Sequence, residues 1–166
     1  MEFEIEKAYF RMLRMIYCSE LQLISFLPEL WEQTAGFELA SSVEVQLHLC
    51  RDRRNALERI AAEHGSSVAG DDCHTMRQLV SKGRRQLRHH GRGPTRDETA
   101  VDICLSVHRL LVLNYKIARH LAAGLGLSAD TARLGQLADR IVEHLPRACD
   151  SAGPTGPKSR LASALS

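Results

Sequence analysis

The chain has 166 residues, of which 44% are apolar, 25% charged and 5% aromatic, and this composition is typical of one globular domain rather than of a disulfide scaffold or a disordered protein. The formal net charge of +2 is too small to indicate a nucleic-acid partner. Because the chain contains no long apolar run and starts with the acidic sequence Met-Glu-Phe-Glu-Ile-Glu, we predict a cytoplasmic protein without a membrane span.

Apolar residues recur at helical spacing along most of the chain. A shorter helical pattern covers about 73–88, inside the segment that links the second long helix to the third. Two helices, a long crossover with a short helix and two further helices form the connectivity of a ferritin-like four-helix bundle. We therefore predict an all-α domain over residues 1–148. Its long helices are expected near 5–33, 38–64, 97–126 and 129–145.

Two segments are predicted to lie outside the bundle. Residues 82–96 carry six lysine or arginine side chains and no acidic one, and the glycines and Pro94 near the end of this basic segment predict a loop. No aromatic side chains are interleaved with the basic ones, which argues against recognition of single-stranded nucleic acid. Nucleic acid is therefore not the expected partner, although binding of nucleic acid or of another acidic partner through this segment is a third alternative. Residues 149–166 are rich in proline, glycine and serine and are predicted to form a disordered tail.

The cysteines carry no recognisable pairing or metal-binding motif. They are odd in number, widely spaced and without a Cys-x-x-Cys pair, which predicts reduced thiols. Most of them fall on apolar stripes, where a thiol is an inert packing group, so catalysis by cysteine is not expected. The five are Cys18, Cys50, Cys73, Cys104 and Cys149.

Several segments resemble one family. The sequence Tyr-Cys-Ser-Glu-Leu-Gln-Leu at 17–23, followed by Leu-Pro-Glu-Leu at 27–30, resembles the first helix of the YciE/YciF family of ferritin-like proteins. Residues 73–83 are similar to the crossover of that family, Cys-x-x-Met-x-x-Leu-Ile-x-x-Gly, and residues 97–126 are similar to its third helix. The resemblance covers about residues 10–145. It implies a ferritin-like bundle, association with stress and a homodimer.

The chain departs from this family at the metal ligands. A ferritin-like dinuclear site needs carboxylates from all four helices, because iron and manganese prefer several converging oxygen ligands. Glu20 matches the glutamate of the family's first helix. The other ligand positions fall on Leu49 in the second helix, on His108 and Leu111 in the third, and near Ile141 and Val142 in the fourth. The resemblance therefore implies a degraded metal site.

Glu20 and His108 are the candidate metal ligands that remain, and both are interpreted as vestigial. Each falls on an inner helical stripe, where an unpaired carboxylate would be costly. Glu20 is either a surviving ligand or an acid paired with Arg53, Arg54 or His108. A carboxylate held by an arginine would have no need of a metal.

Two functions follow from these alternatives. The first is a structural or stress-associated protein of the YciE/YciF type, with no cofactor and no oxidase turnover. The alternative is a metal-binding redox protein that retains an altered iron or manganese site around Glu20 and His108. Hydrolase, nucleoside triphosphatase and dehydrogenase functions have no support, because their sequence motifs are absent from the chain.

Overall fold

A computed structural model of the chain describes residues 1–146, and all regular structure in this range is helical. The helices are α1 (Glu2–Gln33), α2 (Phe37–Glu63), α3 (His74–Arg88), α4 (Pro94–Gly124) and α5 (Ser128–Glu143). This confirms the all-α prediction, and the ends of the four long helices lie within three residues of the predicted ones. In the described range, no helix is both long and apolar enough to cross a bilayer. The predicted tail at 149–166 lies outside the described residues.

Helix α1 lies between two antiparallel neighbours. It contacts α2 through the pairs Tyr17–Glu58 and Glu20–Arg53, in which the residue number rises in α1 and falls in α2. It contacts α4 through the bond from Tyr115 to Glu20 and through Ile5, which lies against the last residue of α4. Since α2 and α4 both run opposite to α1, they run in the same direction. The link between them must therefore traverse the length of the bundle.

Helix α3 provides that crossover. It runs parallel to α1, because Cys73 joins Cys18 at one end of their contact and Arg84 binds Glu29 at the other. Its face toward α4 is tight at Gly83, where a β-carbon would lie 2.9 Å from the Cγ2 atom of Ile103. A larger residue at this position would force α3 away from α4.

Helix α5 completes the four-helix bundle. A glycine in the left-handed conformation, Gly126 with φ +71°, ends α4 and reverses the chain. The next residue, Leu127, donates its backbone N–H to the carbonyl oxygen of Ala122 at 3.0 Å. Helix α5 then runs antiparallel to α4, and Arg133 in its second turn binds Glu63 at the end of α2.

The short helix predicted at about 73–88 is confirmed as α3, whereas the loop predicted for the basic segment is much shorter than 82–96. Residues 82–88 are the last part of α3, and α4 begins at Pro94. Proline is favoured in the first turn of a helix because the backbone N–H groups there have no hydrogen-bond acceptor within the helix. Four arginines of the segment bond within the protein: Arg84 to Glu29, Arg85 to the hydroxyl of Ser81, Arg92 to the carbonyl oxygen of Thr34, and Arg96 to the carbonyl oxygen of His90. Two of these side chains, Arg84 and Arg92, join the crossover to α1 and to the residue that follows it.

Candidate functional site

The centre of the bundle contains a buried polar cluster. Its members come from α1, α2 and α4, and each is at most 2% exposed. We call them the central cluster: Glu20, Cys50, Arg53, His108 and Tyr115. Polar groups that leave water are stable only when other groups satisfy their hydrogen bonds. The bonds within the cluster therefore determine what the site can do.

An ion pair between Glu20 and Arg53 forms the core of the cluster. The Nε atom of Arg53 donates to Oε1 of Glu20 at 2.6 Å, and Nη2 donates to Oε2 at 3.1 Å. Both carboxylate oxygens are thereby occupied by one planar guanidinium, the strongest pairing geometry available to an arginine. Of the three partners that the sequence allows for Glu20, the structure has Arg53.

The ion pair keeps Arg53 charged in an apolar environment. Burial by itself lowers the pKa of the guanidinium, but the negative charge of Glu20 and its hydrogen bonds act in the opposite direction and prevail. The pKa of Arg53 is therefore raised above its ordinary value. A buried carboxylate needs a positive charge beside it, and here the guanidinium of Arg53 provides that charge in place of a metal ion.

Tyr115 and Cys50 complete the shell around the pair. The hydroxyl of Tyr115 donates to Oε1 of Glu20 at 2.9 Å, and Nη2 of Arg53 donates to the Cys50 sulfur at 3.0 Å. Burial, followed by the charge of Glu20, raises the pKa of the Tyr115 hydroxyl and of the Cys50 thiol well above their ordinary values. Both groups therefore stay protonated at neutral pH, and Cys50 is not a nucleophile.

His108 is fully buried and neutral. Its Nδ1 atom bonds with the carbonyl oxygen of Cys104, one turn earlier in α4, at 2.7 Å. Burial lowers the pKa of the imidazole to about 4, the bond to Cys104 opposes this shift, and the positive charge of Arg53 adds to it. The bond at Nδ1 leaves Nε2 as an acceptor, and it has no hydrogen-bond partner among the described residues. The Nη1 donor of Arg53 is likewise unpartnered there.

Apolar side chains occupy the positions where the family resemblance places the missing ligands. Leu111 and Ile141 are fully buried, and Leu49 is 9% exposed. Val142, the other candidate position in the fourth helix, is 52% exposed and points away from the core. Four polar residues beside these positions, which could provide ligands only if the helices were rotated differently, are all exposed: His48, Asp52, Glu143 and His144.

The central cluster does not fit a dinuclear iron or manganese centre. These ions prefer several oxygen ligands, whereas the cluster offers one carboxylate with both oxygens bonded to Arg53. The free Nε2 lone pair of His108 is a single nitrogen donor, and the guanidinium beside it would repel a cation. Arg53 thus satisfies the electrostatic need of Glu20 and opposes metal binding at the same point.

The cysteines depart from the sequence prediction. Cys18 and Cys73 form a disulfide bond with Cα atoms 5.7 Å apart, so the prediction of five reduced thiols is wrong for these two. Cys50 and Cys104 are free and buried, and Cys149 lies outside the described residues. Among the described residues, one group brings three potential metal-ligand atoms within 4.8 Å of one another, and it consists of this pair with Asp72.

Residues 4–142 match a protein family described as a domain of unknown function, DUF892. The chain belongs to this family. No curated protein sequence matches the chain.

Two solved structures share the fold of this DUF892 protein. One is YcfI from Rhodopseudomonas palustris, described as a proposed structural protein, with a TM-score of 0.81 and 18% sequence identity. The other is the E. coli stress protein YciF, with a TM-score of 0.79 and 18% identity. Each match covers 84% of this chain and 89% of the other. At this identity the matches establish the fold and leave the function open.

Proposed function

We propose that this DUF892 protein is a structural or stress-associated member of a ferritin-like lineage whose dinuclear metal site has been replaced by an internal ion pair. The observation that carries the proposal is the bidentate bond of Arg53 to Glu20 at 2.6 and 3.1 Å in a fully buried position. The direction of the helices supports the ferritin-like part, because α2 and α4 run the same way and are linked by a long crossover. The names of YcfI and YciF support the structural and stress-associated part.

The proposal excludes oxidase turnover at the bundle centre. A ferritin-like oxidase transfers electrons through bound metal ions, and the central cluster does not provide the several oxygen ligands that these ions prefer. We expect untagged protein to oxidise iron(II) in air no faster than buffer does. Oxidation above the buffer rate that disappears when Glu20 and Arg53 are both replaced by methionine would instead support the alternative, a metal-binding redox protein using Glu20 and His108.

Stress association is a separate part of the proposal and needs its own test. Protein abundance in the native host, measured by quantitative blotting, is expected to rise under at least one of oxidative, osmotic and heat challenge. The measurement compares each challenge with an unstressed culture at equal growth phase. Constant abundance under all three would contradict this part and leave the account of the central cluster untouched.

We also propose that the protein acts in the cytoplasm as a homodimer formed through α1 and α4. These helices line a groove of about 600 Å³ whose apolar residues include Met12, Met15, Ile117 and Leu121. Leu113, one turn from Ile117 along α4, is 54% exposed. Exposed apolar side chains concentrated on one face are typical of an interaction surface, and a second copy would cover them.

A further inference from the structure

The disulfide between Cys18 and Cys73 lies at a specific junction of the fold. Cys18 is in the middle of α1, two residues before Glu20, and Cys73 immediately precedes α3. The bond joins residues separated by 55 positions and ties the end of the α2–α3 link to the bundle. Beside it, Nε of Arg14 binds Asp71 at 2.6 Å. One covalent and one ionic contact therefore hold the start of the crossover against α1.

A positive charge lies close to this disulfide. The Nη2 atom of Arg77 is 3.9 Å from the Cys18 sulfur, and the Nε atom of Arg77 binds Asp72 at 2.8 Å. The side chains of Arg77 and Asp72 are 54% and 65% exposed, so the layer above the sulfurs consists of long, solvated groups that can move aside. Of the two cysteines, Cys18 is the more accessible, at 8% exposure against 2% for Cys73.

The other described cysteines have a different environment. Cys104 is fully enclosed, and burial raises the pKa of its thiol to about 12. Cys50 lies inside the central cluster, and burial is likewise the main cause of its raised pKa. Neither thiol is available as a thiolate at neutral pH. Reactivity toward external thiols is therefore expected at Cys18 and Cys73 among the described cysteines.

We propose that Cys18 and Cys73 form a redox-active dithiol–disulfide site whose reaction partner is a low-molecular-weight thiol and its disulfide. A thiolate attacks the sulfur of Cys18, the bond between Cys18 and Cys73 breaks, and Cys73 leaves as a thiolate that takes up a proton. A second thiolate then attacks the external sulfur of the mixed disulfide and releases Cys18. In total, two thiols lose two protons and two electrons, and the protein gains them as two thiol groups.

Arg77 is a positioning residue in this exchange. It stabilises the Cys18 thiolate, which is the leaving group when the mixed disulfide is resolved and the nucleophile when the site is oxidised again. Reduction releases the covalent tie, while the pair between Arg84 and Glu29 holds the far end of α3 to α1. The redox state of the two cysteines therefore determines whether the start of α3 is covalently bound to α1, while the helical bundle stays folded in both states. This inference is independent of the function proposed for the central cluster.

The test measures free thiols in the folded protein across a series of reduced-to-oxidised glutathione ratios. Cys149 is replaced by serine so that the count reports only cysteines within the described residues, and thiols are trapped with a mass-adding alkylating reagent. We expect two thiols per chain to appear together under reducing ratios and to disappear when the ratio is reversed. The variant C18S/C73S should show no change across the series.

The role of Arg77 is tested by the rate of reoxidation at neutral pH after reduction. Arg77→Gln should slow the reaction with oxidised glutathione several-fold, and this difference should vanish at a pH at which the Cys18 thiol is fully ionised. Arg85→Gln, an exposed arginine of α3 that bonds to Ser81, is the matched control and should react at the wild-type rate. A structural role alone would not produce such a pH-dependent difference.

Two results would overturn the proposal. The first is a disulfide that glutathione reduces only after the protein is unfolded in denaturant, which would make it a permanent structural bond. The second is a folded protein in which both thiols stay reduced under oxidising ratios and bind added zinc together with Asp72, because that result would assign the cluster to metal binding.

Discussion

Arg53 in α2 binds both carboxylate oxygens of Glu20 in α1, and neither side chain is more than 3% exposed. The two residues join the two helices in the interior of the bundle. An arginine at this point carries a charge that cannot dissociate from the protein. Under the function proposed above, the bundle centre therefore needs no metal ion.

The ion pair predicts a strong asymmetry between single and double replacements. Arg53→Met leaves a buried carboxylate without its partner and should lower the free energy of unfolding by about 3–5 kcal/mol. The double variant E20M/R53M removes both charges and should be close to wild type or more stable. Urea unfolding followed by circular dichroism measures both values.

The solvent-exposed pair of Arg133 with Glu63 is the matched control for this comparison. Because water screens it, Arg133→Met should change the unfolding free energy little. If Arg53→Met were as mild as that surface replacement, the buried pair would not have the role assigned to it.

His108 predicts a specific dependence of stability on pH. In the folded protein its pKa is lowered to about 4, while an unfolded histidine titrates near 6.5. As the pH falls below about 6.5, His108 becomes protonated in the unfolded state but stays neutral in the folded state. The free energy of unfolding therefore decreases until the pH reaches the pKa of the folded state. The loss from this residue between pH 7 and pH 4.5 should be roughly 2.5 kcal/mol.

Replacing His108 by leucine isolates this contribution. Unfolding free energies of the wild type and of the variant are measured at both pH values, and the difference of the two pH effects belongs to His108. The variant should lose less stability on acidification, because it lacks the imidazole. Its carboxylates titrate as they do in the wild type and therefore cancel in the comparison. Equal losses in both proteins would mean that the imidazole is protonated inside the folded bundle.

The disulfide predicts a stability difference that depends on redox conditions. Closing a loop of 55 residues restricts the unfolded chain, which corresponds to about 4 kcal/mol in the loop-entropy description. The variant C18S/C73S should lose an amount of this order, and a reducing agent should affect the wild type but not the variant. Scanning calorimetry with and without the reductant measures the difference, and an equal effect of the reductant on both proteins would contradict this explanation.

The proposed dimer predicts that one charge in the groove of α1 and α4 separates the subunits. Ile117→Glu places a carboxylate at a position that is 38% exposed and would be covered by a second copy. Sedimentation velocity should show a dimer for the wild type and a monomer for this variant. Val45→Glu, at a position 46% exposed on α2, is the control and should remain dimeric. A monomeric wild type would remove the homodimer from the proposal.

Much of the fold could be predicted because helical periodicity is a local property. The apolar spacing and the short link between α1 and α2 were sufficient to predict four long helices and their first pairing. The loop predicted for the basic segment was too long, because α3 reaches residue 88, as its helical pattern predicts, and α4 begins at Pro94 rather than at 97. Tertiary ion pairing neutralises part of the charge of this segment. An ion pair such as that of Arg84 with Glu29 cannot be predicted from the pattern of residue types along the chain, because it depends on how the helices pack.

The candidate site could be predicted only in part. Glu20 was expected on the inner face because it shares a stripe with Leu13 and Ile24, but Arg53 and Arg54 are adjacent, and a rotation of 100° decides which of them faces Glu20. The disulfide could not be predicted, since Cys18 and Cys73 meet only because α3 runs parallel to α1. Both facts depend on how helices are placed relative to one another.

The measurement that tests the central claim most directly is the metal content of the protein, purified without an affinity tag from cells grown with added iron and manganese. Elemental mass spectrometry is applied to the wild type and to E20M/R53M, which lacks the carboxylate and is expected to keep the fold. Because Arg53 binds both carboxylate oxygens of Glu20, we predict far less than one ion of iron or manganese per chain in both proteins. Two ions per chain in the wild type, absent from the double variant, would show that the bundle retains a metal centre and would contradict this account.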